Sequence, residues 1–242
     1  MEQITSVNNK YVKYLCSLSN KKVRDEAKEF IVEGYHLVSE AYKKNRLKTV
    51  LITDVKDEIK GVKNILVSSS VIEKISNTKS PQNIIGVCVI LDNNTYDCNR
   101  CVILDGVQDP GNIGTIIRTA LGFNIDTVIL SNDACDIYND KVIRATQGAI
   151  FNINFIRGNL KEIIPNLKSK GIIIIGTSLQ ANVIKNIEKP AKFCLVLGNE
   201  GNGVSREIQE LCDINVKIDI SEKLESLNVS IAGAIMMYEL TK

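Results

Sequence analysis

The chain has 242 residues, 44% of them hydrophobic and 24% charged, which suits one large or two modest globular domains and excludes wholesale disorder. A net charge of +2 excludes a polycation that would coat nucleic acid indiscriminately. The charge is uneven, with ten Lys or Arg against six acids in the first fifty residues. A phosphate-facing surface is therefore sought at that end, with Lys10, Lys13, Lys21, Lys22 and Arg24 as candidates, beside the plainer reading of solvated helix faces.

Seven cysteines are present, an odd number, and several such as Cys88 and Cys194 stand inside apolar runs. They read as small core residues in a reducing compartment. Cys98 and Cys101 form one C-x-x-C, but no second pair or suitable histidine accompanies it, so no metal site is expected. The opening Met-Glu-Gln-Ile-Thr is unlike a signal peptide, and no apolar run approaches the ~20 residues of a membrane span. A cytoplasmic protein without membrane partners is expected.

In chain order, the pattern predicts a helix over about 8–18, a strand at 30–33, a helix over 34–44 and strands at 49–52 and 65–67. A helix at 69–75, entered through the Ser68-Ser69-Ser70 cap cluster, and a strand at 84–91 follow. The polar stretch Asp92 to Asp97 is the natural boundary, giving domains of 1–93 and 98–242. Beyond it, apolar β-branched runs at 101–104, 127–130, 153–156, 172–176, 193–197 and 216–220 alternate with helical patterns. Those helices fall at about 114–121, 139–147, 160–168, 205–211 and 227–240. Continuous apolar strands each followed by a helix predict a mostly parallel α/β sheet covered on both faces, behind a small N-terminal α/β domain.

Three stretches stand where an apolar run gives way to a helix, the place where open α/β sheets bind ligands. The first is Asp109-Pro110-Gly111-Asn112-Ile113-Gly114, running on to Arg118-Thr119, with Asn112 as the expected helix cap. Read alone, it is equally a capped crossover helix. The second is Leu197-Gly198-Asn199-Glu200-Gly201-Asn202-Gly203, whose three glycines imply unusual backbone angles or a backbone pressed on a ligand. Glu200 would repel phosphate, so this loop suits a neutral or cationic ligand, or Glu200 caps a loop. The third is Glu225-Ser226-Leu227-Asn228-Val229-Ser230, which puts side-chain hydrogen bonds at the mouth of a helix filled by small and apolar residues. Met236 and Met237 there read as core. Neither dinucleotide nor triphosphate fingerprints are present.

Together these stretches resemble, in order and spacing, the motifs of the SpoU–TrmH family of knotted (SPOUT) RNA methyltransferases. The first is similar to its N-x-G-x-x-x-R-T, the second to its G-x-E-G-x-G-[VL]-S and the third to its E-S-L-N-V-S-x-A. The segment Arg144-Ala145-Thr146-Gln147-Gly148-Ala149 also resembles the family, and Arg144 joins the candidate RNA contacts. Ser6 to Gly34 resembles its ribosomal-protein-like substrate-binding domain. Departures are Asp219 in place of proline, Glu222 in place of glycine, and Asn124 in place of the glycine after Phe123. Asn tolerates left-handed angles.

The resemblance implies transfer of a methyl group from S-adenosylmethionine to a ribose 2′-hydroxyl of RNA, most plausibly ribosomal. Transfer RNA and a catalytically silent RNA-binding role are the alternatives. It implies a homodimer and a C-terminal trefoil knot holding the cofactor, which no pattern argument could yield. Carried over by motif, Leu197, Gly198, Asn199, Gly203, Ile218, Ile220 and Leu227 line the cofactor, bordered by Thr177 and Ser178. Arg118 would be the catalytic residue beside the hydroxyl, and Asn112, Glu200, Ser226 and Asn228 would orient it and the ribose. Whether Arg118 serves its own subunit or the other is open. The sole histidine, His36, reads as structural.

Overall fold

In the computed structural model, residues 1–90 and 98–242 are described. The first elements are β1 (Glu2–Ile4), α1 (Lys10–Ser17), α2 (Lys21–Ala27), β2 (Glu29–Glu33), α3 (Tyr35–Lys43), β3 (Leu47–Ile52), β4 (Lys63–Val67), α4 (Ser69–Ile75) and β5 (Ile84–Val89). Their sheet has the order β1-β4-β3-β5-β2, with β5 antiparallel to both β2 and β3. Val12 and Leu15 of α1 and Val71, Ile72 and Ile75 of α4 cover one face against Leu51, Ile65 and Val87.

Two of these elements escape the periodicity. β1 is three residues long, and α2 (Lys-Lys-Val-Arg-Asp-Glu-Ala) has too few apolar positions to mark a face. Asn20 caps α2 by accepting from the Lys22 amide. Ser68 does stand at the N-cap of α4, but its hydroxyl engages the Thr5 carbonyl and Ser70 instead of the helix amides.

The chain continues through β6 (Arg100–Asp105), α5 (Pro110–Gly122), β7 (Thr127–Ser131), α6 (Asp140–Thr146), β8 (Asn154–Gly158) and α7 (Leu160–Ser169). It ends with β9 (Ile173–Val183), β10 (Phe193–Gly198), α8 (Arg206–Gln209), β11 (Ile214–Lys217) and α9 (Val229–Thr241). The second sheet, β11-β9-β10-β6-β7-β8, is parallel at every pairing among the described residues. Alternate residues of its central strands, such as Cys101, Ile103, Cys194 and Val196, pack with α7 and Ile208 of α8. The intervening residues are equally buried, and α9 lies so close on that side that a Cβ on Gly233 would meet Leu197 Cδ1 at 2.7 Å. Burial on both faces is why these strands read as unbroken apolar runs. Met236 and Met237 are core residues. Asn124 adopts a φ of +56°, so it supplies the left-handed turn where the family has glycine.

The chain divides into two compact units, Met1–Asp92 with Asp136–Asn152, and Asn93–Cys135 with Ile153–Lys242. The expected boundary stretch lies outside the described residues. The sequence expectation places all of 98–242 in one domain, whereas in the structure Asp136–Asn152 packs with the first unit. The Phe30 ring lies against Tyr138 and Phe151, with centroids 4.7 and 6.1 Å apart, and Arg24 pairs with Asp136. No described helix is long and apolar enough to cross a membrane.

Candidate functional site

The parallel strands β11, β9, β10 and β6 are neighbours, so their carboxyl ends open on one edge of the sheet, where such sheets place ligands. At that edge β6 turns through Gly106, with φ +67°, into residues 107–109 and then α5. Asp109, not Asn112, is the N-cap of α5; its carboxylate accepts from the Asn112 amide at 2.8 Å, and Pro110 takes the first helical position. The Asn112 side chain is thereby free for other work.

That work joins the three motifs. Glu200 accepts hydrogen bonds from the amides of Gln108 (3.3 Å) and Asp109 (3.1 Å) and from Asn112 Nδ2 (3.0 Å). Asn112 Oδ1 in turn accepts from Asn228 Nδ2 at 2.9 Å. Asn228 Oδ1 caps α9, accepting from the Ser230 amide at 2.9 Å and the Ser230 hydroxyl at 2.6 Å. The donors run in one direction, from Ser230 through Asn228 and Asn112 to a carboxylate, so each bond polarises the next. Burial alone would raise the Glu200 pKa. The hydrogen bonds from Asn112 and the neighbouring amides outweigh it and hold the carboxyl below its usual range. An anion at the mouth of α5 also suits the positive end of that helix.

The glycine-rich loop is tied to the same segment. Asn199 donates from Nδ2 to the Gly106 carbonyl at 2.8 Å, and its Oδ1 accepts from the amides of Gly201 and Asn202. Its backbone pairs both ways with Gly203 at 2.9 Å. The loop closes so tightly that a Cβ on Gly198 would lie 2.0 Å from the Gly203 carbonyl carbon. Gly203 has φ +69° and open space above it. Residues 131–135 brace the opposite side. Ser131 Oγ accepts from the Gly106 amide, the Cys135 amide donates to the Val107 carbonyl, and Gln108 Nε2 donates to the Asp133 carbonyl. Arg157 of β8 fastens that loop by donating to the carbonyls of Ser131, Asn132, Ala134 and Cys135.

The expected cofactor residues fall on several elements. Leu197 and Gly198 are buried at the end of β10, and Leu227 is half-buried just before Asn228. Strand β9 runs beyond Gly176 to Val183, so Thr177 and Ser178 lie within it. The β11 pairing jumps from Asn215↔Gly176 to Val216↔Asn182, setting residues 177–181 aside as an excursion. Ile218 and Ile220 fall just past β11, which spans Ile214–Lys217 where the sequence predicts 216–220. Asn215 Oδ1 is buried without a donor.

Two expected catalytic residues stand outside the network. Arg118 is exposed on α5 and Ser226 is exposed before α9, and neither side chain makes a hydrogen bond or ion pair among the described residues. Asn112 as a helix cap is corrected, since that place belongs to Asp109. Arg24 as a phosphate contact is also corrected. It is 5% exposed, bonded to the carbonyls of Leu18 and Ser19 and paired with Asp136, because a short polar helix still needs an anchor. Arg144 is committed to Asp140 at 2.7 Å, whereas Lys10, Lys13, Lys21 and Lys22 are exposed. His36 is exposed, with Nε2 3.0 Å from the Gln147 carbonyl oxygen. No group of His, Cys, Asp or Glu able to hold a metal occurs among the described residues. The sequence reading missed Arg157, Asn199 as a latch and Asp109 as a cap. A charged residue inside the apolar run Asn-Phe-Ile-Arg-Gly was the available signal for Arg157.

Comparison with known proteins gives the same picture over the whole length. Residues 99–238 match the model of the SpoU rRNA methylase family, and residues 9–86 match the MRM3-like substrate-binding domain. The chain is 36% identical over 248 residues to the 23S rRNA (guanosine(2553)-2′-O)-methyltransferase RlmP of Bacillus subtilis, covering 99% of each. It is also similar to an rRNA methyltransferase from Sinorhizobium meliloti, with TM-score 0.90, 30% identity and coverage of 99% of this chain and 96% of that one. The AdoMet-bound structure of an rRNA methyltransferase from the same organism aligns with TM-score 0.89 and 30% identity, covering 99% of this chain and 97% of that one.

Proposed function

The chain belongs to the SpoU rRNA methylase family, and from that premise we propose that its three convergent loops bind S-adenosylmethionine beside a ribose of ribosomal RNA and methylate the 2′-oxygen. The observation that carries this reading is the hydrogen-bond chain from Ser230 through Asn228 and Asn112 to Glu200, which joins all three motifs in one site. An exposed carboxylate that gathers three donors from the separate segment 108–112 is what a site built to position a substrate needs.

The residues present fit a cationic cofactor. The loop of residues 197–203 contains no cation, Glu200 is held anionic, Gly203 leaves open space and Asn215 Oδ1 is a buried acceptor still lacking a donor. Leu197, Gly198, Asn199, Gly203, Ile218, Ile220 and Leu227 would hold the cofactor, with Thr177 and Ser178 at its border. Family membership implies a trefoil knot in the last strands and α9 that gathers these segments. The cofactor supplies an electrophilic methyl on sulfonium sulfur. With the cofactor bound, that methyl would pass to the ribose oxygen, the sulfonium becoming a neutral thioether as the hydroxyl loses its proton. The protein's part is placement and charge. Asn112 and Asn228, fixed by Glu200, orient the ribose with Ser226, and Arg118 holds the adjoining phosphate and offsets charge on the attacking oxygen.

The free Arg118 side chain finds a use in a homodimer. Helix α9 is strongly apolar apart from Glu239, yet Ile231, Ile235 and Tyr238 are exposed. Leu121 of the adjacent α5 extends this patch, and Arg118 lies one turn before it on the same exposed face. A second copy covering this patch would receive Arg118 at its edge.

The test is transfer of labelled methyl from S-adenosylmethionine to ribosomal RNA from cells lacking the protein, with transfer RNA in parallel and mass spectrometry of the nucleosides. A 2′-O-methylated nucleoside in ribosomal RNA is expected. Label confined to transfer RNA would move the substrate assignment, and no RNA-linked methyl would overturn the reading.

A further inference from the structure

The unit formed by Met1–Asp92 and Asp136–Asn152 contains a recess of ≈ 320 Å³ that the methyl-transfer site does not use. Ile31 and Ile75 contribute aliphatic surface to it, and Tyr138 contributes an aromatic ring already held against Phe30. At its rim stand Ser19 and Asn77, both exposed and with side chains that make no hydrogen bond among the described residues. Arg24 also lines it. That guanidinium is 5% exposed, its Nη atoms are occupied by the Leu18 and Ser19 carbonyls and Asp136, and its buried Nε–H lacks an acceptor.

An unstacked nucleobase has the complementary properties. It is flat, its faces are apolar and polarisable, and its edge carries both donors and acceptors. The recess offers an aromatic ring, aliphatic contacts and an uncommitted amide and hydroxyl. Its volume lies at the lower end for ligand pockets, which suits one base and not a whole dinucleotide. Lys141 stands exposed at the rim, where a flanking phosphate would run, while Asp140 beside it is paired with Arg144 and Lys21 and Lys22 with Asp25 and Glu26. We infer that this recess captures one splayed base of the RNA substrate, adding a recognition site apart from the reacting ribose. The inference rests on the RNA-methyltransferase reading above.

The experiment uses the full chain with ¹³C-labelled isoleucine methyls. Titration with AMP, GMP, CMP and UMP is expected to shift Ile31 and Ile75 while leaving Ile164, in the core of the other unit, unmoved. Ser19→Trp should fill the recess, remove those shifts and weaken binding to deproteinised ribosomal RNA about ten-fold, the scale of one lost base-stacking contact. Asn77→Ala, at an exposed position, should weaken RNA binding in the same direction without changing the melting temperature. Wild-type RNA affinity in both variants, or nucleotide shifts that survive Ser19→Trp, would overturn the inference. These binding arms decide the matter even if the wild-type protein transfers no methyl group, a result that would count against the enzymatic reading alone.

Discussion

At the residue scale, Glu200 is the point on which the site turns, because three donors converge on its carboxylate. Its folded pKa is depressed below the ordinary 4.5, so the stabilisation it brings is complete above that value and lost as pH falls through the lower folded value. Methyl transfer should therefore show no acid limb from Glu200 between pH 5 and 8. Glu200→Gln exchanges an acceptor-only carboxylate for an amide that presents donors to three donors. Turnover should drop by about 10²-fold, the usual consequence of a misplaced polar group at a reacting centre, with a smaller change in cofactor affinity by calorimetry. An acid limb near pH 6 that disappears in this variant would contradict the assignment. Gly198 presents a different constraint. A Cβ there would sit 2.0 Å from backbone carbon and 2.1 Å from the Val204 nitrogen, atoms that cannot swing aside. Gly198→Ala should cost roughly 1–3 kcal/mol or more, lowering Tm by several degrees and abolishing cofactor binding. At Gly203 the space is open, so Gly203→Ala should show only the smaller strain of its +69° φ.

At the scale of elements, what could be read depended on how each element is buried. The central strands at 101–104, 127–130 and 193–197 are covered on both faces and announce themselves as apolar runs; α2, anchored by a single buried arginine, does not. The start of α5 is ambiguous in sequence because Asp109, Pro110 and Asn112 are each good helix-start residues, and only the structure decides that Asp109 caps. The convergence of Asn112, Glu200 and Asn228 was legible only through family resemblance. Spacings of 88 and 116 residues leave no local pattern. For Arg157 the sequence marks only a charge inside an apolar run; its partners, four backbone carbonyls in a loop more than twenty residues away, leave no local pattern. Removing that fork should loosen 131–135 and, with it, the 106–109 segment under Glu200. Arg157→Ala should speed hydrogen exchange at the Gly106 and Cys135 amides and lower stability by about 2–3 kcal/mol, reflecting lost charge-assisted bonds. Unchanged exchange at those two amides would show that the loop holds itself.

At the scale of the whole molecule, the decisive question is whether a site is complete within one chain. The Glu200–Asn112–Asn228 chain closes inside a single subunit, whereas Arg118 is exposed on α5, one turn before the exposed Leu121. If the exposed apolar side chains of α5 and α9 join two copies, Ile235→Asp should place a charge in an apolar interface and yield monomers by light scattering, with loss of turnover even though every site residue is intact. Arg118→Lys should reduce turnover by about 10²–10³-fold while sparing cofactor affinity, because lysine cannot reproduce the planar fork on a phosphate. Mixing the two defective chains then separates the geometries. If Arg118 reaches into the partner's site, a dimer of one Arg118→Lys chain and one Glu200→Gln chain has one site with both wild-type residues. Random exchange between symmetric dimers should then restore roughly a quarter of wild-type activity. If Arg118 serves its own chain, each site in that mixed dimer keeps a defect, and mixing restores nothing.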